Sequence, residues 1–360
     1  MEVKTELTIV ALDGIICVYS STLKGLQLAP LNIPLKRRLQ TLGVIYYWAS
    51  FILMGLIPIL LGVYLIFTDF YWITILGVAW SYYDRKTPRK GGRRLPWLRV
   101  RYMPQWACIR DYFPISLIKT ADLDPNHNYL FAVHPHGIMS IGAVINFGSE
   151  VTGFSEKFPG ITPSLLTLQG WFKIPLARDY LMMGGLCPVS KESIDWLLGH
   201  SGPGRSVAIV VGGASESLES HPNHHVVYLQ KRKGFIKRAI ENGAHLVPCY
   251  SFGEADIFKQ FPNPPGSFLR AIQNRLSKLM GFAPPVFHGR GIFNYSFGLL
   301  PFRRPISTVV GKALPVEKIV NPSNEEIDKV HWEYMNELRA LFDEHKTKYG
   351  ISTDEKLIFV

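Results

Sequence analysis

Four cysteines in 360 residues, Cys17, Cys108, Cys187 and Cys249, are few and widely spaced, and none forms a CxxC pair. That excludes a disulfide framework and leaves reduced, mostly buried thiols. No Gly-x-Ser-x-Gly elbow occurs, which argues against a serine hydrolase. No GxGxxG or P-loop opens a helix after a strand, and Gly202-Pro203-Gly204 lacks the later residues of either. No zinc-finger spacing or aromatic sheet motif accompanies the formal charge of +11, so nucleic acid is not an expected partner. His221, His224 and His225 offer imidazoles, but Pro222-Asn223 among them reads as a surface turn, and no metal is expected. There is no internal repeat. The segment Leu7–Ser20 has no basic flank and carries Asp13 and Gly14, so it reads as an interfacial or buried segment rather than a cleaved signal. Acidic residues are also missing from Arg85 to Arg101, where eight basic residues fall.

What the chain does have is a long apolar stretch, Leu42 to Tyr83, broken by one charge at Asp69. Leu42–Phe67 supplies 26 residues, enough to cross a bilayer, whereas Phe70–Tyr83 supplies only 14. Pro58 and Gly62 lie inside the first segment. Two tight spans, or a re-entrant hairpin turning near Thr68-Asp69, fit this pattern; a single span or a buried helix pair are the other readings. Lys36-Arg37-Arg38 and the 85–101 run flank the stretch on both sides, which places both flanks in the cytosol. The expected organisation is an N-terminal cytosolic or interfacial segment over 1–40, a membrane hairpin over 41–84 and a cytosolic catalytic domain over 85–360. Asn294-Tyr295-Ser296 is a glycosylation sequon that this topology leaves unused.

Beyond residue 100, short apolar runs alternate with helical segments. Tyr129–Val133, Val207–Val211, His245–Tyr250 and Thr308–Val310 read as strands, and Lys191–Leu198 and Gly234–Asn242 as helices, the latter stopped at Gly243. Apolar strands separated by helices predict an α/β fold with a mostly parallel sheet covered by helices on both faces. Ligands of such sheets sit outside the carboxyl ends of the strands. Ser323 and Glu326 form a capping box. Behind it Ile327, Val330, Tyr334, Leu338, Leu341 and Phe342 mark one helical face that should pack on the sheet.

Three sites combine chemistry with such placement. His134 and His136 close the strand ending at Val133; one can serve as a general base near neutral pH while the other braces the turn, or both can hydrogen-bond loop backbone. Gly212-Gly213 end a second strand and allow close approach to a ligand, and Glu216 follows. That carboxylate can orient a histidine, hold a cation, or simply favour a helix N-terminus. Lys231, Arg232 and Lys233 crowd positive charge at a helix start, where a phosphate-bearing substrate or a lipid headgroup surface would balance it. Arg290 can assist.

Taken in order, Asp111-Tyr112-Phe113-Pro114, His134-Pro135-His136-Gly137, Phe158-Pro159-Gly160 and Gly212-Gly213-Ala214-Ser215-Glu216-Ser217-Leu218 resemble the acyl-CoA:monoacylglycerol and diacylglycerol acyltransferase family, which includes wax-synthase relatives. Arg232-Lys233-Gly234-Phe235, Leu246-Val247-Pro248, Ser251-Phe252-Gly253-Glu254 and His288-Gly289-Arg290-Gly291 continue the likeness, which covers about residues 30 to 350. The stretch Ala29–Pro34 with Arg37–Leu42, Leu123-Asp124-Pro125 and Asn294–Leu299 are most similar to the monoacylglycerol branch. Cys187-Pro188-Val189-Ser190 is more similar to the diacylglycerol branch, and Phe51-Ile52-Leu53-Met54 approximates the family's neutral-lipid motif. The resemblance implies a glycerolipid-acyltransferase-like fold in the endoplasmic reticulum membrane, also found at lipid droplets. It implies transfer of a fatty acyl group from acyl-CoA, as co-substrate without a cofactor, to monoacylglycerol or diacylglycerol. For that reaction the expected base is His136, supported by Glu216 and by His134 or backbone N–H groups near Gly137, with the phosphates of CoA expected near Lys231, Arg232, Lys233 and Arg290, by Gly212 and Gly213. Related enzymes place an aspartate four residues after the histidine; Ser140 stands there in this chain. A fatty-alcohol acceptor, or a non-catalytic scaffold at lipid droplets, are the alternatives. Oligomeric state, homo-oligomer included, is left open.

Overall fold

The computed structural model describes residues 27–30, 32–93, 100–280 and 284–360, with the backbone path alone at 278–280. Leu7–Ser20 and Cys17 lie outside the described residues.

Helix α1 runs Leu35–Ile66 and α2 Tyr71–Tyr83. At about 1.5 Å per residue, α1 is about 48 Å long and α2 about 20 Å. The apolar run alone predicts a start near Leu42. The helix begins at Leu35 instead, because Lys36, Arg37 and Leu39 turn outward while Gln40, Gly43 and Val44 turn onto the protein. Pro58 is carried inside α1 without ending it. From Phe51 onward most side chains of α1 and α2 are exposed. Gly55 is a buried exception: a Cβ there would meet the Trp171 ring at 2.4 Å, so only hydrogen lets the helix press on the 169–173 turn. Thr74 Oγ1 donates to the Gly62 carbonyl at 3.0 Å, tying the two arms. The exit of α2 is fastened to α5 (Ala177–Met183) by Arg178. This guanidinium, 1 % exposed, reaches the Ser81 carbonyl at 2.7 Å, the Asp84 carbonyl at 2.8 Å and Asp84 Oδ2 at 2.6 Å. Arg93 bridges Asp84 to Asp179.

The remainder is built on one seven-stranded sheet. Its strands are β1 (Ser116–Lys119), β2 (Tyr129–His134), β3 (Thr162–Thr167), β4 (Cys187–Pro188), β5 (Arg205–Val210), β6 (His245–Phe252) and β7 (Ser307–Val310). They lie in the order β1-β7-β6-β2-β5-β3-β4. All neighbours are parallel except β7 against β6. This is the expected α/β architecture with a mostly parallel sheet. β2 sits at its centre, buried throughout, with Val133 opposite Val210 of β5 and His134 opposite Tyr250 of β6.

Alternation along β2 sorts the core onto two faces. Leu130 and Ala132 pack with α6 (Lys191–Gly199), α7 (Gly234–Asn242) and α9 (Asn324–His345). Phe131 and Val133 pack with Phe154, Phe158 and Phe147 of α4 (Ile141–Gly148). α7 stops at Gly243, whose φ of 65° is left-handed, as the Asn242-Gly243 pair predicts. The capping box of Ser323 and Glu326 is present, and Ile327, Tyr334, Leu338, Leu341 and Phe342 of α9 are buried on the sheet, with Val330 packed alongside. α3 (Pro104–Tyr112) lies along the first half of α1. No disulfide joins the described cysteines; Cys187 and Cys249 are buried and Cys108 is half-buried.

Candidate active site

Three adjacent parallel strands, β5, β2 and β6, deliver their carboxyl ends to one place, where α/β sheets bind ligands. After β5 comes Glu216, after β2 comes His136, and after β6 comes Glu254.

The end of the strand decides between the two histidines, which have the same parity. His134 is the last residue of β2 and follows the pattern of Leu130 and Ala132, so its ring enters the core on the α9 face. It is fully buried, and its Nε2 lies 3.0 Å from Tyr334 Oη, which also donates to the Ala132 carbonyl at 3.2 Å. Burial pushes the His134 pKa down to about 3, so the ring is neutral. His136 lies past the strand end and is half-buried. Its Nδ1 is 3.0 Å from the Gly137 carbonyl, an acceptor only, so this nitrogen carries the hydrogen. The lone pair then resides on Nε2, which has no hydrogen-bond partner among the described residues. Burial lowers the His136 pKa, partly opposed by the Gly137 carbonyl. Ser140 does not replace the missing acid as a strong partner: its hydroxyl donates to the His136 carbonyl at 2.9 Å and is 3.4 Å from Nδ1.

Glu216 reaches His136, but through the backbone rather than the ring. Its Oε1 accepts the His136 N–H, and its Oε2 accepts the Tyr228 N–H at 2.8 Å. The carboxylate is 1 % exposed and rests on Gly212, where any Cβ would overlap it. Burial raises its pKa to about 7, against the pull of the two N–H donors and the Arg232 charge. Glu254 is its counterpart. It is equally buried and accepts from Ile141 N–H and Gly142 N–H, both at 2.8 Å, capping α4 with a carboxylate from another strand. Its pKa is also raised to about 7 by burial. The His136–Gly142 loop is thus held at its entrance by one glutamate and at its exit by another. The motif containing Glu254 is visible in the sequence, but its role depends on a contact across more than a hundred residues.

The cationic residues do not gather into one group. Lys231 and Arg232 are exposed; Arg232 Nη2 points to the Gly212 carbonyl at 3.4 Å. Lys233 caps α7 and pairs with Asp328 of α9, an anion the linear sequence places far away. Beside them is an open hollow of about 420 Å³, lined by Lys233, Gly234, Lys237, Asn324, Ile327 and Asp328. Arg290 is buried elsewhere, over the rings of Tyr112 and Tyr295 at 5.8 and 4.9 Å, and forms no hydrogen bond with the 231–233 run among the described residues. Gly213 has a φ of +61°. Among the described residues no cluster of three or more His, Cys, Asp or Glu is placed to hold a metal.

The diacylglycerol acyltransferase family model matches residues 63–360. The chain is 50% identical over 333 residues to 2-acylglycerol O-acyltransferase 1 of Bos taurus, covering 92% of this chain and 99% of that protein. It is 48% identical to 2-acylglycerol O-acyltransferase 1 of Homo sapiens, over 92% of this chain and 98% of that one. Diacylglycerol O-acyltransferase 2 of Danio rerio is 50% identical, with 89% of each chain covered. The 1-acyl-sn-glycerophosphate acyltransferase PlsC of Thermotoga maritima aligns over 87% of this chain and 98% of its own at 11% identity and a TM-score of 0.38, too low a likeness to carry an argument. With half the sequence shared along nearly its whole length, and the histidine loop built as described, this chain belongs to the diacylglycerol acyltransferase family.

Proposed function

We propose that the protein transfers a fatty acyl group from acyl-CoA to the hydroxyl of 2-monoacylglycerol, and also of diacylglycerol. The observation that carries the mechanism is the tautomer of His136. With Nδ1–H held by the Gly137 carbonyl, Nε2 is the basic nitrogen and has no hydrogen-bond partner among the described residues. In the reaction, Nε2 takes the acceptor's hydroxyl proton as that oxygen attacks the thioester carbonyl carbon. The tetrahedral adduct collapses, the C–S bond breaks, and the imidazolium returns the proton to the CoA sulfur. No acyl-enzyme is needed. Glu216 and Glu254 are positioning residues: they fix the loop backbone on which the imidazole is mounted. His134 braces the strand end against Tyr334. The N–H groups of the turn after Gly137 are the natural donors to the oxyanion, a contribution worth about 3–4 kcal/mol where it has been measured. The phosphates of CoA lie against Lys231 and Arg232, with Lys233 and the hollow at the start of α7 alongside.

The exposed apolar hairpin, with basic residues at both roots, supports insertion into the endoplasmic reticulum membrane with the sheet domain cytosolic, and residence on lipid droplets. Phe51, Ile52 and Leu53 project from α1, and Met54 packs with Phe172 beside Trp171, a greasy approach for an acylglycerol.

The test is a reconstituted assay with labelled acyl-CoA and, in turn, monoacylglycerol, diacylglycerol and a long-chain alcohol. Monoacylglycerol is expected to be the preferred acceptor, and His136→Ala to abolish transfer at unchanged protein level and membrane association. Near-normal transfer by that variant would end the assignment. Sole use of the alcohol would make the protein a wax synthase, and no transfer at all a scaffold.

A further inference from the structure

α8 (Phe268–Met280) buries Arg270 and Gln273, with Leu269 and Leu276 half-buried, and exposes Phe268, at 83 %, and Ile272, at 40 %, beside Asn274 and Arg275. Two large apolar side chains on the outward face depart from a purely water-facing helix. Polar bonds fix its rotation: Arg270 pairs with Glu219, Gln273 Oε1 accepts from Asn263 at 3.1 Å, and Gln273 Nε2 donates to the Pro284 carbonyl at 3.2 Å. Phe268 and Ile272, four apart, therefore share the outward face.

The apolar surface continues into the next loop. Phe293 is 79 % exposed, and Ile292, Phe297 and Leu299 are exposed around it. The His288 ring links Phe261 and Phe297, at 6.0 and 5.5 Å. This surface borders the root of the hairpin: Phe287 packs near Trp48 of α1 at 6.4 Å, the Ala29 N–H donates to the Phe293 carbonyl at 2.9 Å, and Arg303 donates to Gln40 at 2.7 Å. The segment that builds it carries charge of one sign. Between Asp256 and Glu317 there is no acidic residue and there are eight basic ones. Lys259, Arg275 and Arg304 are exposed and form no ion pair among the described residues.

We propose that α8 and the 292–299 loop form a second membrane-contact surface. It seats Phe268, Ile272, Phe293 and Phe297 beneath the headgroups of an anionic bilayer, with Lys259, Arg275 and Arg304 at headgroup level. Continuity with the hairpin and three exposed cations, Lys259, Arg275 and Arg304, without ion-pair partners among the described residues single out lipid as the occupant. The inference rests on the reading of the hairpin as membrane-inserted. It makes the sheet domain lie down on the bilayer, fixed by two separate attachments, rather than hang from one.

The experiment uses the full-length protein in phosphatidylcholine–phosphatidylserine vesicles. Cys17 and Cys108 are replaced by Ser; the buried Cys187 and Cys249 stay. A nitroxide is placed at Phe268→Cys or Phe293→Cys, with Ile272→Cys and Phe297→Cys as second variants should either lose acyl transfer. Phe67→Cys at the hairpin turn and Glu337→Cys on the exposed face of α9 are the references. Collision of the label with oxygen is compared with collision with a water-soluble nickel chelate. The oxygen-to-nickel ratio at 268 and 293 is expected to exceed that at 337 several-fold and to approach that at 67. Ratios at 268 and 293 equal to that at 337, with 67 in lipid, overturn the inference alone. A water-accessible label at 67 as well overturns the hairpin reading and the inference with it. Exclusion of both reagents with spin–spin broadening means that a second copy covers the surface, and also overturns it.

Discussion

A carboxylate that accepts two backbone N–H bonds, one on each oxygen, has no comfortable place for a proton. Protonation or amidation turns one oxygen into a donor facing a donor. Glu216 and Glu254 are both in this position, yet burial holds each near 7. His136, lowered below its ordinary 6.5 by burial, stays a neutral base down to a lower pH. As pH falls, Glu216 therefore takes its proton first, and the His136 loop loses its anchor before the base is spent. The acid limb of kcat/KM is expected to have its midpoint near 7. In Glu216→Gln the limb should become less steep, with Glu254 alone left to titrate near 7, on a rate already lowered by the orphaned N–H, whose cost is about 1–3 kcal/mol. A pH–rate series on both proteins checks this; a limb of unchanged steepness would assign the titration to another group. The two histidines were legible as a pair in the sequence; they share parity, and what separates them is that β2 ends at His134, so His136 lies on the loop beyond it. The exit clamp was not legible, because nothing local joins Glu254 to Ile141. The grouping of Arg290 with the 231–233 lysines and arginine rested on charge sign alone. The fold instead sets the Arg290 guanidinium over the rings of Tyr112 and Tyr295.

At the scale of single elements, local chemistry was a good guide wherever it acted within a few residues. α9 begins at Ser323 with both halves of its box made: the Glu326 N–H donates to Ser323 Oγ at 3.2 Å, and the Ser323 N–H to Glu326 Oε2 at 2.7 Å. Ser323→Ala should cost about 1 kcal/mol. Amide exchange in the first turn, 324–327, should quicken accordingly, while the amides around Tyr334 keep their protection. The strands with uninterrupted apolar runs, β2, β5 and β6, were equally plain. β3 was not, because Thr162-Pro163-Ser164 reads as a loop. It is a strand because Gly204 and β5 lie alongside it, with the Thr162 N–H donating to the Gly204 carbonyl at 2.8 Å. β1 escaped for a similar reason: four residues of mixed polarity become a strand only by pairing with β7 from the far end of the chain. The early start of α1 follows the same rule, since packing on α3 carries the helix back through a basic stretch that hydropathy alone would cut off.

For the whole molecule, the mechanical question is how an apolar hairpin stays in register with a sheet. α2, at about 20 Å, is shorter than the roughly 30 Å hydrocarbon layer, which favours a re-entrant path over two full spans. The buried Arg178 is the clasp at its exit. Arg178→Ala removes a cation that binds Asp84 and two carbonyls at once, and breaking a buried pair from one side costs about 3–5 kcal/mol. The expected outcome is faster tryptic cleavage within Arg85–Lys90 and thermal inactivation at a lower temperature, with α1 still in the membrane. Unchanged cleavage would mean that Arg93 alone holds the joint.

The Asn294 turn carries a consequence for anyone mapping which side of the bilayer the sheet occupies. Asn294 Oδ1 accepts the N–H groups of Ser296 and Phe297, and Ser296 Oγ accepts the N–H of Gln27. The acceptor triplet is thus folded shut on itself and strapped by the chain that leads into α1. An oligosaccharyltransferase needs that triplet extended, so once the chain has folded Asn294 is closed to it in either compartment. A reporter triplet introduced into the exposed 352–356 turn is what will distinguish lumen from cytosol.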